Sequence, residues 1–413
     1  MLRTRTNKRV KLKSAHVLAV LFLAYIVYVG SAAMPNFLYN LGGAFYWETG
    51  YQYFIDTVDA QYEGMLTTEK DESLLQNKGT YIDLNGLLAR AMGQPMMNDR
   101  LKLKNGHLTS LVSKAADPQD IQNAASNVID FYTRQTQNGG NFLFVMVSSQ
   151  VSKYEDLLPT GYTDTTNDTA DAFLALLDEA GVPYLDLRQK MQEENISVTD
   201  IYFTTDHHWK PQGGFWAYGK ILEALSELGS IGPVDSLYTD PENFTFQTYE
   251  DTFLGSWGKR TGIYYAGLDD SIFIRPNFDT DISVTIEERG LDIRGRFEDV
   301  AYNTEVSPDY TDPDYYQENA YGLYGWGDTP LTQWRNTDAP EQGKFLLIGE
   351  SFGNVPFSLL SLYVSECDEM DMRHYTGDFA SYYQTFAPET VIMEVNVDQT
   401  LGPVTVSSYF PEE

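Results

Sequence analysis

Asn141 to Val147 (NFLFVMV) is a short, almost wholly apolar run set between Asn138-Gly139-Gly140 and Ser148-Ser149. Without polar alternation, such a run suits a strand buried on both faces. The flanking sequence supplies the cover that a doubly buried strand requires. A helix is predicted from Pro118 to about Gln135. Another carries Phe173, Leu174, Leu176 and Leu177 and stops at Gly181, after which Val182 to Leu187 reads as the next strand. Pro211 sits near the first turn of a further helix whose Phe215, Tyr218, Ile221, Leu222 and Leu225 share one face.

This alternation lapses over residues 230–340, which are rich in Asp, Tyr and Gly. Period-2 patterning there marks strands at Ser271 to Arg275 and Ile282 to Ile286. It resumes at Lys344 with a strand from Phe345 to Ile348, a helix from about Asn354 to Val364, a strand near Met372, a helix from Asp378 to Phe386 and a strand from Thr390 to Val395. The expected fold class is α/β: a three-layer α/β/α domain with a mainly parallel sheet and an inserted β-rich lobe. The core is expected in two parts, 116–229 and 341–413, with the lobe at 230–340. Residues 35–115 show no clear period and read as a stalk and N-terminal cap.

Ala15 to Met34 is free of formal charge over 20 residues, close to the ~20 that span a bilayer as a helix. Six of the 28 basic residues and no acidic one precede it, so residues 1–14 are expected in the cytoplasm and the rest outside. An uncleaved signal anchor over 15–34 is favoured because the stretch is longer than an ordinary signal core. The small-x-small pair Ser31 and Ala33 keeps a cleaved signal open. Both readings export the domain. A net charge of -31 argues against nucleic acid, which needs clustered Lys and Arg. The lone cysteine, Cys367, permits no intrachain disulfide and reads as a small buried hydrophobe.

Two constellations carry chemistry. Asp206-His207-His208-Trp209 places two of five histidines beside a carboxylate. Gly349-Glu350-Ser351-Phe352-Gly353 follows an apolar strand, the place where a strand-to-helix turn exposes a serine hydroxyl. In an extended segment Asp206 and His208 face one side, so Asp206 can orient His208 while His207 points away. His208 is then the candidate base and Ser351 the candidate nucleophile. His207 as base, a purely structural DHHW segment and a plain serine helix cap remain open. The order Asp, His, Ser disfavours the α/β-hydrolase arrangement, for which His374 would be the base. A zinc site at Asp206, His207 and His208 lacks further ligands in any recognisable motif, and the reading requires no metal or cofactor.

An Asp-x-His-Trp element, followed downstream by a strand leading to Gly-Asp/Glu-Ser-Phe, resembles the SGNH-hydrolase-like alginate O-acetyltransferases AlgX and AlgJ and the bacterial DHHW proteins. The likeness runs over about residues 80–400. Lys153, the Val182 to Leu187 strand and the closing strand Val391 to Val395 also match elements of that family. The resemblance implies Ser351 as nucleophile, His208 as base and Asp206 as its orienting acid. It further implies acetyl transfer to a hydroxyl of an exported polysaccharide, with acyl groups supplied by a separate membrane-bound acyltransferase. Carbohydrate acetylesterase activity and a non-catalytic glycan-binding role remain alternatives. Glu350 stands where Asp is more usual, and no arginine follows Glu394 where the family often has a Glu-Arg pair. Asn396 reads as an oxyanion donor or, more simply, as a polar strand end. Trp257, Tyr264, Tyr265, Tyr321, Tyr324, Trp326 and Trp334 are candidates for stacking on sugar rings.

Overall fold

The computed structural model describes residues 23–24, 78–303 and 319–410. The expected membrane segment, apart from Leu23 and Ala24, and the stalk before residue 78 lie outside them. Among the described residues no helix is long and apolar enough to cross a membrane. The chain divides into two units, Met1–Thr80 and Tyr81–Glu413, and the sheet and the site belong wholly to the second.

The helix expected at Pro118 is α1 (Pro118–Gln137). Asp117 caps it by accepting the Gln119 N–H at 2.9 Å, and Pro118 occupies the first turn, where no N–H is missed. Gly139, at φ 81°, turns the chain out of the helix into β1 (Asn141–Val147), in which Phe142 through Val147 are all buried. Alternate β1 residues enter two separate cores. Phe142, Phe144 and Met146 join the side chains of α1 and of α2 (Thr166–Glu179). Leu143, Val145 and Val147 enter a core shared with β2 (Tyr184–Asp186), α3 (Leu187–Glu193) and α4 (Pro211–Glu227). Helices therefore cover both faces of the sheet, as a continuous apolar strand demands.

Further elements are β3 (Phe244–Phe253), β4 (Asp269–Pro276), β5 (Ile282–Ile286), β6 (Leu291–Gly295), β7 (Leu331–Arg335), β8 (Glu341–Gly349), α5 (Asn354–Leu360), β9 (Val364–Asp371), α6 (Phe379–Phe386) and β10 (Thr390–Asn396), beside a small sheet of three short strands at Met96–Met97, Arg100–Lys102 and Leu108–Thr109 and several short helices. The central sheet has eight strands in the order β2-β1-β10-β8-β9-β7-β5-β6. Pairing is parallel from β2 to β9 and antiparallel from β9 through β7 and β5 to β6. The sheet is thus mixed, where a mainly parallel one was expected. The segment expected as a lobe contributes β5, β6 and β7 to its edge, and only β3 and β4 form a separate hairpin. The reason lies in the connections. β5 and β6 are joined by a tight turn closed by Gly290 at φ 61°, and a short link of that kind forces an antiparallel neighbour. Ile282, Val284 and Ile286 point from β5 into the same core as α4.

β1, β8 and β10 end at one edge of the sheet, since Val147 pairs with Asn396 and Ile348 with Met393. In open α/β sheets this carboxyl edge is where ligands and catalytic loops gather.

Candidate active site

Ser351 opens a short 3-10 turn, Ser351–Gly353, between β8 and α5. The turn is tight because Gly349 and Gly353 leave no room for side chains. A Cβ on Gly353 would lie 2.5 Å from the Phe357 ring, and one on Gly349 would lie 2.9 Å from it. Ser351 is 7% exposed.

The DHHW segment is a loop, not an extended strand. An isolated antiparallel bridge between Tyr202 and Trp209 closes it, and the Phe203 N–H reaches the His208 carbonyl at 3.3 Å. Asp269 pins its approach, accepting the Thr204 and Thr205 N–H groups at 2.9 and 2.7 Å. Asp206 and His208 still meet, through a side-chain turn in which Asp206 Oδ1 accepts the His208 N–H at 3.0 Å. The same oxygen lies 2.6 Å from His208 Nδ1, and His208 Nε2 lies 2.7 Å from Ser351 Oγ. The sequence therefore brings together the three residues it singled out, with the hydrogen-bond spacing that a nucleophile, base and orienting acid require.

Asp206 is 2% exposed. Burial alone would raise its carboxyl, but the imidazoles of His207 and His208 and the Ser256 N–H, 2.5 Å from Oδ2, together hold it well below the usual carboxylate range. A carboxylate so held fixes His208 with Nδ1–H toward it and leaves Nε2 to accept the serine proton.

His207 does not point away. Its ring sits 3.7 Å from that of His208, and its Nδ1 lies 3.1 Å from Ser256 Oγ. The side-chain turn, unlike a strand, keeps neighbouring residues on one side. Burial first, and the adjacent His208 second, push His207 down to about 4, against the opposing pull of Asp206. His374 lies 4.0 Å from Asp328 and Asp371 and has no place at Ser351. Ligand atoms of Asp206, His207 and His208 fall within 4.8 Å of one another, but both ring nitrogens of His208 are already directed at Asp206 and Ser351.

Several supports were not legible in the sequence. His107, in the unpatterned N-terminal region, places Nε2 3.2 Å from the Tyr202 carbonyl at the base of the loop. Gln150 donates to the Asp206 carbonyl at 2.7 Å. Tyr321 lies flat on His208, with ring centroids 3.8 Å apart and planes at 11°. Asn396 donates through Nδ2 to the Ser148 carbonyl at 2.6 Å, and its N–H goes to Glu350 Oε1 at 3.0 Å, which makes it a brace between β1, β10 and the nucleophile turn. Of the aromatics considered for sugar stacking, only Tyr264 is exposed; Trp257, Tyr265, Tyr321, Tyr324, Trp326 and Trp334 are buried. Cys367 is buried in β9, and burial pushes its thiol well up.

Beneath the turn lie three buried acids. Glu394 is fully buried with neither oxygen hydrogen-bonded, and burial raises its carboxyl well above the usual range. Glu350 is raised to about 7 and Glu369 to about 8, burial being the largest cause in each. Arg373, paired with Asp371 at 2.5 Å, brings a cation to this cluster from the end of β9.

The described chain is thus a mixed α/β domain with Asp206, His208 and Ser351 in a hydrogen-bonded line at the carboxyl edge of its sheet. Within it, residues 108–248 match the profile of the SGNH hydrolase-like domain of the acetyltransferase AlgX, a stretch that holds Asp206 and His208 and ends before Ser351. No curated protein matches the chain. Among solved structures, PatB1 of Bacillus cereus carrying a sulfonyl adduct superposes with a TM-score of 0.60 at 18% identity, over 76% of this chain and 98% of that one. A DHHW family protein from Eubacterium siraeum superposes with a TM-score of 0.56 at 18% identity, over 75% and 94%. At such identities the likeness is one of fold.

Proposed function

We propose that this chain is an O-acetyltransferase that moves an acetyl group to hydroxyls of an exported or cell-surface polysaccharide through Ser351, His208 and Asp206, held at the outer face of the membrane by residues 15–34. The observation that carries the reading is the unbroken line from Asp206 Oδ1 through His208 to Ser351 Oγ, at 2.6 and 2.7 Å. The match of residues 108–248 to the acetyltransferase AlgX profile supports the acetyl group, and the glycan acceptor follows from the resemblance to the alginate O-acetyltransferases.

In the first half-reaction Ser351 Oγ attacks the acetyl carbonyl of the donor while its proton passes to His208 Nε2. The tetrahedral adduct collapses, the donor oxygen leaves with the proton from His208, and acetyl-Ser351 remains. Backbone N–H groups at the Ser351 turn face the developing oxyanion. In the second half-reaction a sugar hydroxyl gives its proton to His208 and attacks the acyl carbon. Ser351 departs and recovers the proton. Asp206 remains ionised throughout and stabilises each imidazolium. Water in place of the sugar would give an esterase by the same steps.

Incubation with an activated acetyl ester tests the reading by intact-protein mass. The wild type is expected to gain one acetyl group, and Ser351→Ala and His208→Ala are expected not to. An adduct that persists in Ser351→Ala removes the triad. Oligosaccharide acceptors then separate transfer from hydrolysis, by whether acetylated sugar or acetate accumulates.

A further inference from the structure

The imidazole of His208 is enclosed on both faces. His207 lies 3.7 Å from it at 37°, and Tyr321 lies 3.8 Å from it at 11°, the flatter and more complete overlap. Tyr321 is 3% exposed and is braced from behind by Phe203, edge-on at 6.4 Å. The loop that delivers it is held under strain. Gly325, Trp326 and Gly327 all take left-handed backbone angles, at φ 58°, 69° and 70°, and a bulky residue seldom adopts such a conformation. Specific bonds enforce it: Trp326 Nε1 donates to the Val300 carbonyl at 2.8 Å, Tyr324 Oη to the Ile272 carbonyl, and the Gly325 N–H to the Ala301 carbonyl at 3.0 Å. Strain kept in place by so many contacts marks a segment whose position matters.

We propose that Tyr321 is a positioning residue for the base, its ring stabilising the imidazolium that His208 becomes when it takes the proton of Ser351. The inference rests on the Ser351–His208–Asp206 reading. Two neutral rings stacked face to face attract only modestly. Once the proton reaches Nε2, positive charge spreads over the imidazole and lies on the electron-rich face of the phenol, a cation–π contact. The contact is therefore stronger in the transition state than in the ground state, the condition for raising the rate. Asp206 supports the same charge in the ring plane and Tyr321 from above it. The ring does this, not the hydroxyl. The charged or titratable groups around the stack are Asp206 and His207 from the base's own loop, Glu394 on β10, Asp328 beyond Tyr321, and Arg373 toward His207. None of these is altered by a change confined to the Tyr321 ring.

The test measures kcat/KM of the full chain for p-nitrophenyl acetate from pH 5 to 9, whose acidic limb reports the base of the free enzyme. Tyr321→Leu, which keeps apolar bulk without a π face, is expected to shift the limb down by about half a pH unit, as a contact at the lower end of the cation–π range implies, and to lower the plateau about fivefold. Tyr321→Phe should match the wild type in both. A lowered plateau with an unmoved limb means the ring only packs, and a Phe variant as impaired as Leu assigns the effect to the hydroxyl; either overturns the inference. If Tyr321→Leu does not fold, phenylalanines of increasing ring fluorination at this position weaken the π face at constant shape. The limb should then fall stepwise, and an unmoved limb overturns the inference. Ser351→Ala serves as the control on the underlying reading: an adduct that survives it removes the triad and the inference together. Loss of the adduct in Ser351→Ala with unchanged Tyr321 variants removes the inference alone.

Discussion

Asp206 supplies both oxygens to the site, Oδ1 to the His208 ring and backbone and Oδ2 to the Ser256 N–H. Asp206→Asn preserves shape but removes the charge, and it sets an amide N–H in competition for Nδ1. Acylation of Ser351 by an activated ester is expected to slow by about 10³–10⁴-fold with little loss of thermal stability; a rate within tenfold of wild type would show that Asp206 does not orient the base. The buried acids set a second expectation. Glu350 and Glu369, raised to about 7 and 8, hold their protons more tightly folded than unfolded. Their stabilisation is complete below the ordinary glutamate range and is lost as pH rises through about 7 to 8. Denaturant midpoints should therefore fall between pH 5 and 8, the ionisation of Glu350 costing on the order of 3 kcal/mol. Glu350→Gln retains the oxygen that accepts the Asn396 N–H and cannot ionise, so its midpoint should fall less over that interval. An equal slope in the two proteins would contradict protonated Glu350. Asp206, His208 and Ser351 could be singled out because a carboxylate and imidazole two apart, and a serine between glycines after an apolar strand, are local patterns. Tyr321 could not be, because only the tertiary fold puts a phenol on an imidazole 113 positions away, and no local pattern distinguishes it among 29 tyrosines.

At the scale of elements, the loop that carries Asp206 and His208 depends on a close approach that glycine permits. A Cβ on Gly255 would sit 2.3 Å from the Asp206 Cβ and 2.6 Å from its Oδ2, while the Gly255 N–H donates to Thr205 Oγ1 at 2.8 Å. Gly255→Ala must push the loop away from the helix at Ser256–Thr261, breaking the Ser256 bond to Asp206. We expect acylation to fall at least a hundredfold, with circular dichroism and the melting profile close to wild type, since the clash lies at the loop and not in either main core; a variant of normal activity would show that the loop tolerates displacement. Where elements obey a simple period, their bounds were readable. β1 and β10 run almost as expected because short, mainly apolar runs bounded by turn residues suit buried strands, and α1 because Pro118 and Gly139 mark its ends. β9 was the failure. It begins at Val364, where a helix was expected to end, and its Ser365, Glu366, Asp368 and Glu369 carry no apolar period. Those polar groups are accommodated by partners on other elements, as Asp368 is by Arg335 at 2.6 Å, and sequence alone does not display such pairings.

At the scale of the whole molecule, the antiparallel edge was hidden by the sequence's own emphasis. Period-2 alternation located β4 and β5, but both strands looked alike, and nothing local told that β5 would extend the central sheet while β4 would pair only with β3. Packing alone does not separate them either, since Val284 of β5, Trp334 of β7 and Ile274 of β4 all enter the core that holds the apolar face of α4; the choice lies in which strand edge each one pairs with. Charge acts at the same scale. A net charge of -31 over 413 residues surrounds the molecule with a negative field that repels polyanions before any specific contact forms. That repulsion is screened over about 10 Å at 0.1 M salt and about 3 Å at 1 M. For a neutral oligosaccharide acceptor, kcat/KM of acetyl transfer should vary less than twofold between 20 mM and 0.5 M salt. For a uronate-containing acceptor of equal length it should rise several-fold, because screening removes the penalty on encounter while leaving the chemistry at Ser351 unchanged. Single-turnover deacylation of acetyl-Ser351 at saturating acceptor separates the two steps: the salt effect should vanish there if it resides in encounter. If instead the uronate acceptor weakens with salt, a cationic subsite draws it in despite the overall charge, and the acceptor of this enzyme is an acidic polysaccharide.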